Sequence, residues 1–294
     1  MSSTLASRIP RETWDSHMHI VDPYNYPLSA TAAYKPHAHL LPDALSFESS
    51  LNIHNIVIVQ PSIYGTDNSC TLDALRAIGP ARGRAVVQLD PATITAAELD
   101  EWHRIGVRGV RLNFKSVGAA IDEGGLRDTL VRNADVVRGY GWVVQLYIGM
   151  ENMPVLERII ASTEALRGIK FCIDHLGHPT LPAGSLVQGT MPDPYALPGF
   201  AALVRLLKAG QTWTKCSAAY RIEKDAAMPW TQAMAKEVMK QAPERVVFAT
   251  DWPHTRFDGY DVVPFVERCL EWCAGDERLA EKLFSGNCKV LFDV

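Results

Sequence analysis

Two short segments near opposite ends of the sequence carry residues suited to hydrolytic chemistry: Asp15-Ser16-His17-Met18-His19 and Thr250-Asp251-Trp252-Pro253-His254. Histidines two residues apart project to the same face of a strand, because side chains alternate with period two. Asp251 closes an apolar run, Val246-Val247-Phe248-Ala249, that reads as a buried strand. If the first and last strands of a closed barrel lie side by side, twin imidazoles and a carboxylate meet at one mouth. Such a set activates a water and stabilises the oxyanion that water creates.

Those groups need elements to hold them. Eight segments read as strands: 14–20, 55–61, 84–90, 108–114, 142–148, 169–174, 212–217 and 246–251. Most are short apolar or β-branched runs, the pattern of strands buried on both faces. Between them run helical periodicities such as Leu72-Leu75-Ile78, Leu126-Leu130-Ala134-Val137 and Met153-Leu156-Ile159-Ile160. Alternating strand and helix predicts parallel strands with crossovers, and eight strands close a (β/α)8 TIM barrel. The rival, a doubly wound open sheet, would be favoured by a GxGxxG after the first strand, which is absent. The expected organisation is one barrel domain over 1–294. Turn-rich loops at 21–42 and 180–198 follow strand ends and should lie over the catalytic face, and 276–294 should pack outside the barrel.

Composition narrows the partners. A chain of 294 residues, 47% hydrophobic and 21% charged, has ample material for a core. Its net charge of -4 argues against a nucleic-acid surface, which needs a basic excess. No apolar run approaches the roughly 18 residues that cross a bilayer. The first eight residues lack the apolar core of a secretory signal, so a cytoplasmic location is expected. Homo-oligomerisation is left open. None of the six cysteines forms a CxxC pair, and reduced, buried thiols are expected. The four-residue spacing of Cys269 and Cys273 fits an amphipathic helix as well as a metal pair.

Barrel chemistry sits at the carboxyl ends of the strands. Those ends supply His17 and His19, Gln60 and Ser62, Asp90, Arg111 and Asn113, then Gln145 and Tyr147. The later strands supply Asp174, His175 and His178; Lys215, Ser217, Tyr220 and Arg221; and Asp251, His254 and Arg256. Buried polar atoms cost free energy unless paired, so a purely structural barrel has no use for so many. Plainer readings exist. Asp251 can be a helix cap, Arg111 can pair with Asp90, Arg221 can be a solvated loop charge, and Tyr34 can simply pack its loop. Outside the paired motif His178, His37, His39, His54 and His103 look ordinary.

His17-Met18-His19, Ile173-Asp174-His175-Leu176-Gly177 and Thr250-Asp251-Trp252-Pro253, in that order, resemble the amidohydrolase superfamily. Val57-Ile58-Val59-Gln60-Pro61-Ser62 and Arg108-Gly109-Val110-Arg111-Leu112-Asn113-Phe114 resemble its branch of 2-pyrone-4,6-dicarboxylate lactonase, 4-sulfomuconolactone hydrolase and galactarolactone isomerase. The resemblance implies hydrolysis of a small anionic lactone, with Asp251 as general base and His17, His19 and His175 polarising the carbonyl. It implies substrate contacts from Arg111, Arg221, Tyr147, Ser62 and Tyr34, and His254, three residues after Asp251, is expected to bind substrate with them. Where the branch carries a further arginine after strand four, this chain reads Lys115-Ser116-Val117, so a second carboxylate needs another partner.

The metal-rich members hold two ions through ligands this chain lacks. His17, His19, His175 and Asp251 could hold a single Zn ion. The other groups nearby are cationic rather than ligating, which favours no cofactor. The alternatives are a lactone isomerase using an internal hydroxyl, a Zn-dependent nonoxidative decarboxylase of an aromatic acid, and a catalytically dead binding barrel.

Overall fold

Runs such as Asn55-Ile56-Val57-Ile58-Val59 carry bulky apolar groups on alternate faces, and both faces must be covered. The computed structural model of the chain describes residues 4–115, 118, 121–184 and 190–294. In it β1 (Trp14–Met18), β2 (Asn55–Val59), β3 (Gly83–Val87), β4 (Val107–Asn113), β5 (Val143–Tyr147), β6 (Lys170–Ile173), β7 (Thr212–Cys216) and β8 (Val246–Phe248) form one parallel sheet in sequence order. Helices Leu41–Ser50, Ser69–Ile78, Ala96–Ile105, Glu123–Val137, Met153–Ser162, Phe200–Lys208 and Pro229–Gln241 make the crossovers, and Val263–Trp272 follows β8. This is the (β/α)8 TIM barrel that the alternation predicts.

The seam between β1 and β8 is closed by main chain just beyond β8. Asp251 N–H donates to the His17 carbonyl at 3.0 Å, and His19 N–H donates to the Trp252 carbonyl at 2.8 Å. The two chemically loaded segments are therefore hydrogen-bonded neighbours.

All eight expected strands are present, but each ends one to three residues early. Beyond β6, β7 and β8 the reason is local. His175 (φ 53°), Ala218 (φ 53°) and Asp251 (φ 63°) adopt left-handed backbone, which breaks the ladder and redirects the side chains. Non-glycine residues enter that region only where their surroundings over-determine it, and such positions cluster at functional sites.

Inside the barrel the lining changes from apolar to polar toward the carboxyl end. Trp14, Val57, Val86, Val143, Cys172, Trp213 and Val247 pack together at the bottom. Two residues further on, β5 presents Gln145 and β7 presents Lys215, both fully buried. Strict alternation would point Trp14 and His17 to opposite faces. The pairing of β1 with β2 shifts register between Asp15 and Met18, which brings both inward.

The C-terminal segment departs from expectation. Cys288, Leu291 and Phe292 do not lie on the outside; they join the interior cluster against Trp14 and Trp213 and plug the amino-terminal mouth. Two large rings at the base leave apolar surface that this segment covers.

Candidate active site

Asp251 is the hub. Its Oδ1 lies 3.7 Å from His17 Nε2, 3.8 Å from His19 Nε2 and 4.0 Å from His175 Nε2. Its Oδ2 accepts from the Tyr220 hydroxyl at 2.6 Å and from Arg221 Nε at 2.7 Å. Burial by itself would raise the Asp251 pKa, but Arg221 and the three imidazoles outweigh it and hold the group well below the usual carboxylate range. The carboxylate is thus ionised, with one oxygen committed to Tyr220 and Arg221 and the other facing the histidines.

The imidazoles are neutral at pH 7. Burial lowers His19 and His175 to about 4, and burial together with Lys215 pushes His17 well below its ordinary value. Their partners fix the proton positions. His19 Nδ1 lies 2.7 Å from the Val59 carbonyl, which only accepts, so Nδ1 carries the hydrogen and Nε2 is left as an acceptor. His17 Nδ1 lies 3.2 Å from the Lys215 ammonium, which donates to it, and 3.3 Å from Asp174 Oδ1; the Lys215 bond favours the hydrogen on Nε2, 3.3 Å from His19 Nε2. His175 Nδ1 meets the Ser217 hydroxyl at 2.8 Å.

Beneath the histidines lies a buried polar layer. Lys215 Nζ donates to the Ser16 carbonyl at 2.7 Å and to Gln145 Oε1 at 2.8 Å, and stands 3.7 Å from Asp174 Oδ1. Asp174 Oδ2 accepts from Gln145 Nε2 at 3.1 Å and lies 3.8 Å from Arg111 Nε. The carboxylate beside Arg111 is therefore Asp174 and not Asp90, whose side chain instead accepts from Ala92 N–H. A lone buried charge is expensive, and this layer pairs its two cations around one anion.

The cavity above is lined by His19, His175, Asp251, Arg111 and Tyr147, with Ser62 and Tyr34 at its sides. Its free interior is about 30 Å³, room for very few waters. Tyr147 donates or accepts at 2.7 Å with His178 Nδ1, so His178 supports the wall rather than standing apart. Arg221 lines the cavity too, but in place of an open carboxylate clamp it grips Asp251 through Nε and Thr255 through Nη2. His254 does not reach the cavity. It packs edge-on against Phe47, Tyr220 and Tyr260, and burial lowers it to about 4.

Sequence reasoning placed Lys215, Tyr220 and Arg256 at strand ends without a task. Lys215 turns out to contact His17, Tyr220 contacts Asp251, and Arg256 lines the cavity. A lysine in an apolar strand, Trp213-Thr214-Lys215-Cys216, was the available signal. Of the expected lid at 180–198, residues 185–189 lie outside the described residues, as do Ser116 and Val117 after β4. All six cysteines are buried and free. The Cys273 thiol bonds the Cys269 carbonyl, and among the described residues no group of three or more His, Cys, Asp and Glu close enough to share an ion contains a cysteine.

Ligand atoms of His17, His19 and Asp251 do lie within 4.8 Å of one another, as do those of His17, Asp174 and His175, so buried groups able to hold one ion are present. No helix among the described residues is long and apolar enough to cross a membrane.

Comparison with known proteins agrees with this geometry. The chain is 31% identical to 4-sulfomuconolactone hydrolase of Hydrogenophaga intermedia, over 85% of this chain and 77% of that one. It is 26% identical to D-galactarolactone isomerase of Agrobacterium fabrum, over 96% and 91%. Among solved structures, a candidate 2-pyrone-4,6-dicarboxylic acid hydrolase from Pseudomonas putida superposes with a TM-score of 0.75 at 28% identity, covering 97% of this chain and 98% of that one. An amidohydrolase from Burkholderia multivorans, solved with bound Zn, shares the fold at TM-score 0.73 and 18% identity, covering 96% and 99%. The amidohydrolase family model matches residues 14–294, and the chain, a hydrolase, belongs to that family.

Proposed function

We propose that this enzyme opens a small anionic lactone ring with water, without a bound metal. The observation that carries the reading is the convergence of Asp251 Oδ1 with three imidazole Nε2 atoms inside 4.0 Å, at the floor of a cavity also lined by arginines. The sulfomuconolactone relative supports the substrate class.

A water hydrogen-bonded to Asp251 Oδ1 is aimed at the ring carbonyl. As its oxygen bonds to that carbon, its proton passes to Asp251 Oδ1. With Ser217 donating to His175 Nδ1, the His175 Nε2–H faces the cavity and stabilises the oxyanion. His19, expected from sequence to polarise the carbonyl, cannot donate there, because its hydrogen is on Nδ1. The ring C–O bond then breaks and Asp251 returns the proton to the leaving oxygen. The depressed basicity of Asp251 keeps it in the working form at neutral pH, while preorganisation in a dry site offsets the weaker proton affinity.

Lys215 speaks against a metal. An ion bound through His17 Nε2 needs a lone pair there and therefore a hydrogen on Nδ1, where Lys215 already donates. A hydrogen on Nδ1 would have Asp174 Oδ1, 3.3 Å away, as its acceptor but would give up the bond from Lys215.

The test is a pH-indicator screen of lactones bearing one or two acidic groups, with and without chelator. Acid release that is insensitive to chelator and abolished by Asp251→Asn is expected. Chelator-sensitive turnover would overturn the metal-free reading, and carbon dioxide from an aromatic acid would point to a decarboxylase instead. Conversion of a lactone to its isomer without acid release would favour the isomerase, in which a substrate hydroxyl replaces water; the galactarolactone isomerase relative keeps that reading in view.

A further inference from the structure

Three arginines line the cavity, and two of them also bond the protein. Arg111 donates to the Gln60 carbonyl at 2.9 Å beside Asp174, and Arg221 grips Asp251. Arg256 is different. Among the described residues its guanidinium has no carboxylate within 4.0 Å and no hydrogen bond; its Cζ lies over the Tyr34 ring, 4.8 Å from the centroid. It is exposed at the mouth, on the turn that follows Asp251, and holds a left-handed φ of 71°. Tyr34 comes from the neighbouring loop, after β1, so the stacked pair lines the β1–β8 side of the mouth. With about 30 Å³ free inside, a ring substrate extends outward to the mouth, whose wall this pair helps to form.

We infer that Arg256, poised on Tyr34, is a specificity determinant that takes a second anionic group on the ring, remote from the carbonyl under attack. The inference rests on the lactonase reading for its reaction, but not for its binding chemistry. A guanidinium offers two parallel N–H donors to a carboxylate or sulfonate, and stacking on an aromatic face holds it flat without satisfying those donors. Arg256 thereby supplies, from after β8, the second cation that Lys115 alone after β4 does not. An inner anionic group meets Arg111 and an outer one meets Arg256, which sets the enzyme to prefer doubly charged rings.

Two measurements test this on the purified full chain. The first compares kcat/KM for an unsaturated five-membered lactone carrying one carboxylate with that for the same ring carrying an added carboxylate, or an added sulfonate. The wild type should prefer the doubly charged rings. Arg256→Met should reduce that preference about tenfold, chiefly through KM, and Arg256→Lys should restore part of it. The carboxylate and sulfonate arms show which group the site favours. The second measures calorimetric binding of pyridine-2,4-dicarboxylate against pyridine-2-carboxylate, which cannot be hydrolysed. The wild type should bind the dianion at least about tenfold more tightly, and Arg256→Met should remove most of that difference. If the variant leaves both preferences intact, or the wild type has neither, the inference is wrong. If binding discriminates as described while no lactone is opened, the lactonase reading fails and the anion site stands.

Discussion

Lys215 Nζ stands 3.2 Å from His17 Nδ1 in the closed interior of the barrel, and its donation there favours the His17 hydrogen on Nε2. That makes Lys215 a positioning residue rather than a catalytic one. Replacing it with Met leaves Asp174 buried beside Arg111 alone, which should cost about 3 kcal/mol or more of stability. The double change Lys215→Met with Asp174→Asn should recover part of that loss without recovering kcat. Freed from the ammonium, His17 Nδ1 can take the hydrogen and expose its Nε2 lone pair. The double variant should therefore bind Zn at least about tenfold more tightly than the wild type by calorimetry. Unchanged Zn affinity would mean that the lysine does not set the tautomer.

Asp251→Asn keeps the shape of the side chain and an oxygen for Tyr220 or Arg221, but removes the proton acceptor. We expect kcat to fall by about 10³, within the range for loss of a positioned base, with far-ultraviolet circular dichroism unchanged. Because Arg221 loses its charged partner while mostly buried, some stability should go as well, and a melting curve will show it. A variant that keeps more than a tenth of wild-type kcat would remove Asp251 from the mechanism.

The parts of this site that could be read from sequence are those set by period and strand order. His17 and His19 share a face because they are two apart, and Asp251 meets them because the first and last strands of a barrel adjoin. What stayed hidden depends on side-chain direction across the interior. Nothing in the residue order shows that Arg221 turns back onto Asp251, that Arg111 prefers Asp174 to Asp90, or that His254 packs behind the wall among aromatic rings. The register shift in β1 was equally invisible, since alternation alone would send Trp14 and His17 to opposite faces. The C-terminal plug was missed because an apolar stripe does not say which surface it covers.

Buried neutral histidines should make the fold acid-sensitive in a defined window. His19 and His175 titrate near 6.5 when unfolded but are held at about 4 in the fold, chiefly by burial. Below pH 6.5 the unfolded chain gains protons that the folded one refuses, so stability falls as pH drops from about 6.5 to about 4. Each group contributes about 1.4 kcal/mol per pH unit within that window. Urea midpoints measured from pH 7 to pH 4 should decline accordingly, and the joint replacement His19→Gln with His175→Gln should flatten the slope by about two protons. An unchanged slope would show that these rings are charged in the fold.

Glu48 predicts the opposite sign. It is 2% exposed on helix Leu41–Ser50, beside the fully buried Asp15, whose oxygens accept from His17 N–H, Thr250 N–H and the Thr250 hydroxyl. Burial, and then the neighbouring Asp15 carboxylate, push the Glu48 pKa well above its ordinary 4.5. An acid whose pKa is raised in the fold holds a proton that the unfolded chain has released, so its cost grows as pH climbs above the unfolded value. Glu48→Gln supplies a neutral side chain of the same shape and removes that penalty. The variant should match the wild type near pH 5 and melt higher at pH 8, by about 2 °C or more for each kcal/mol relieved. A difference that shrinks with rising pH would show Glu48 to be ionised where it sits.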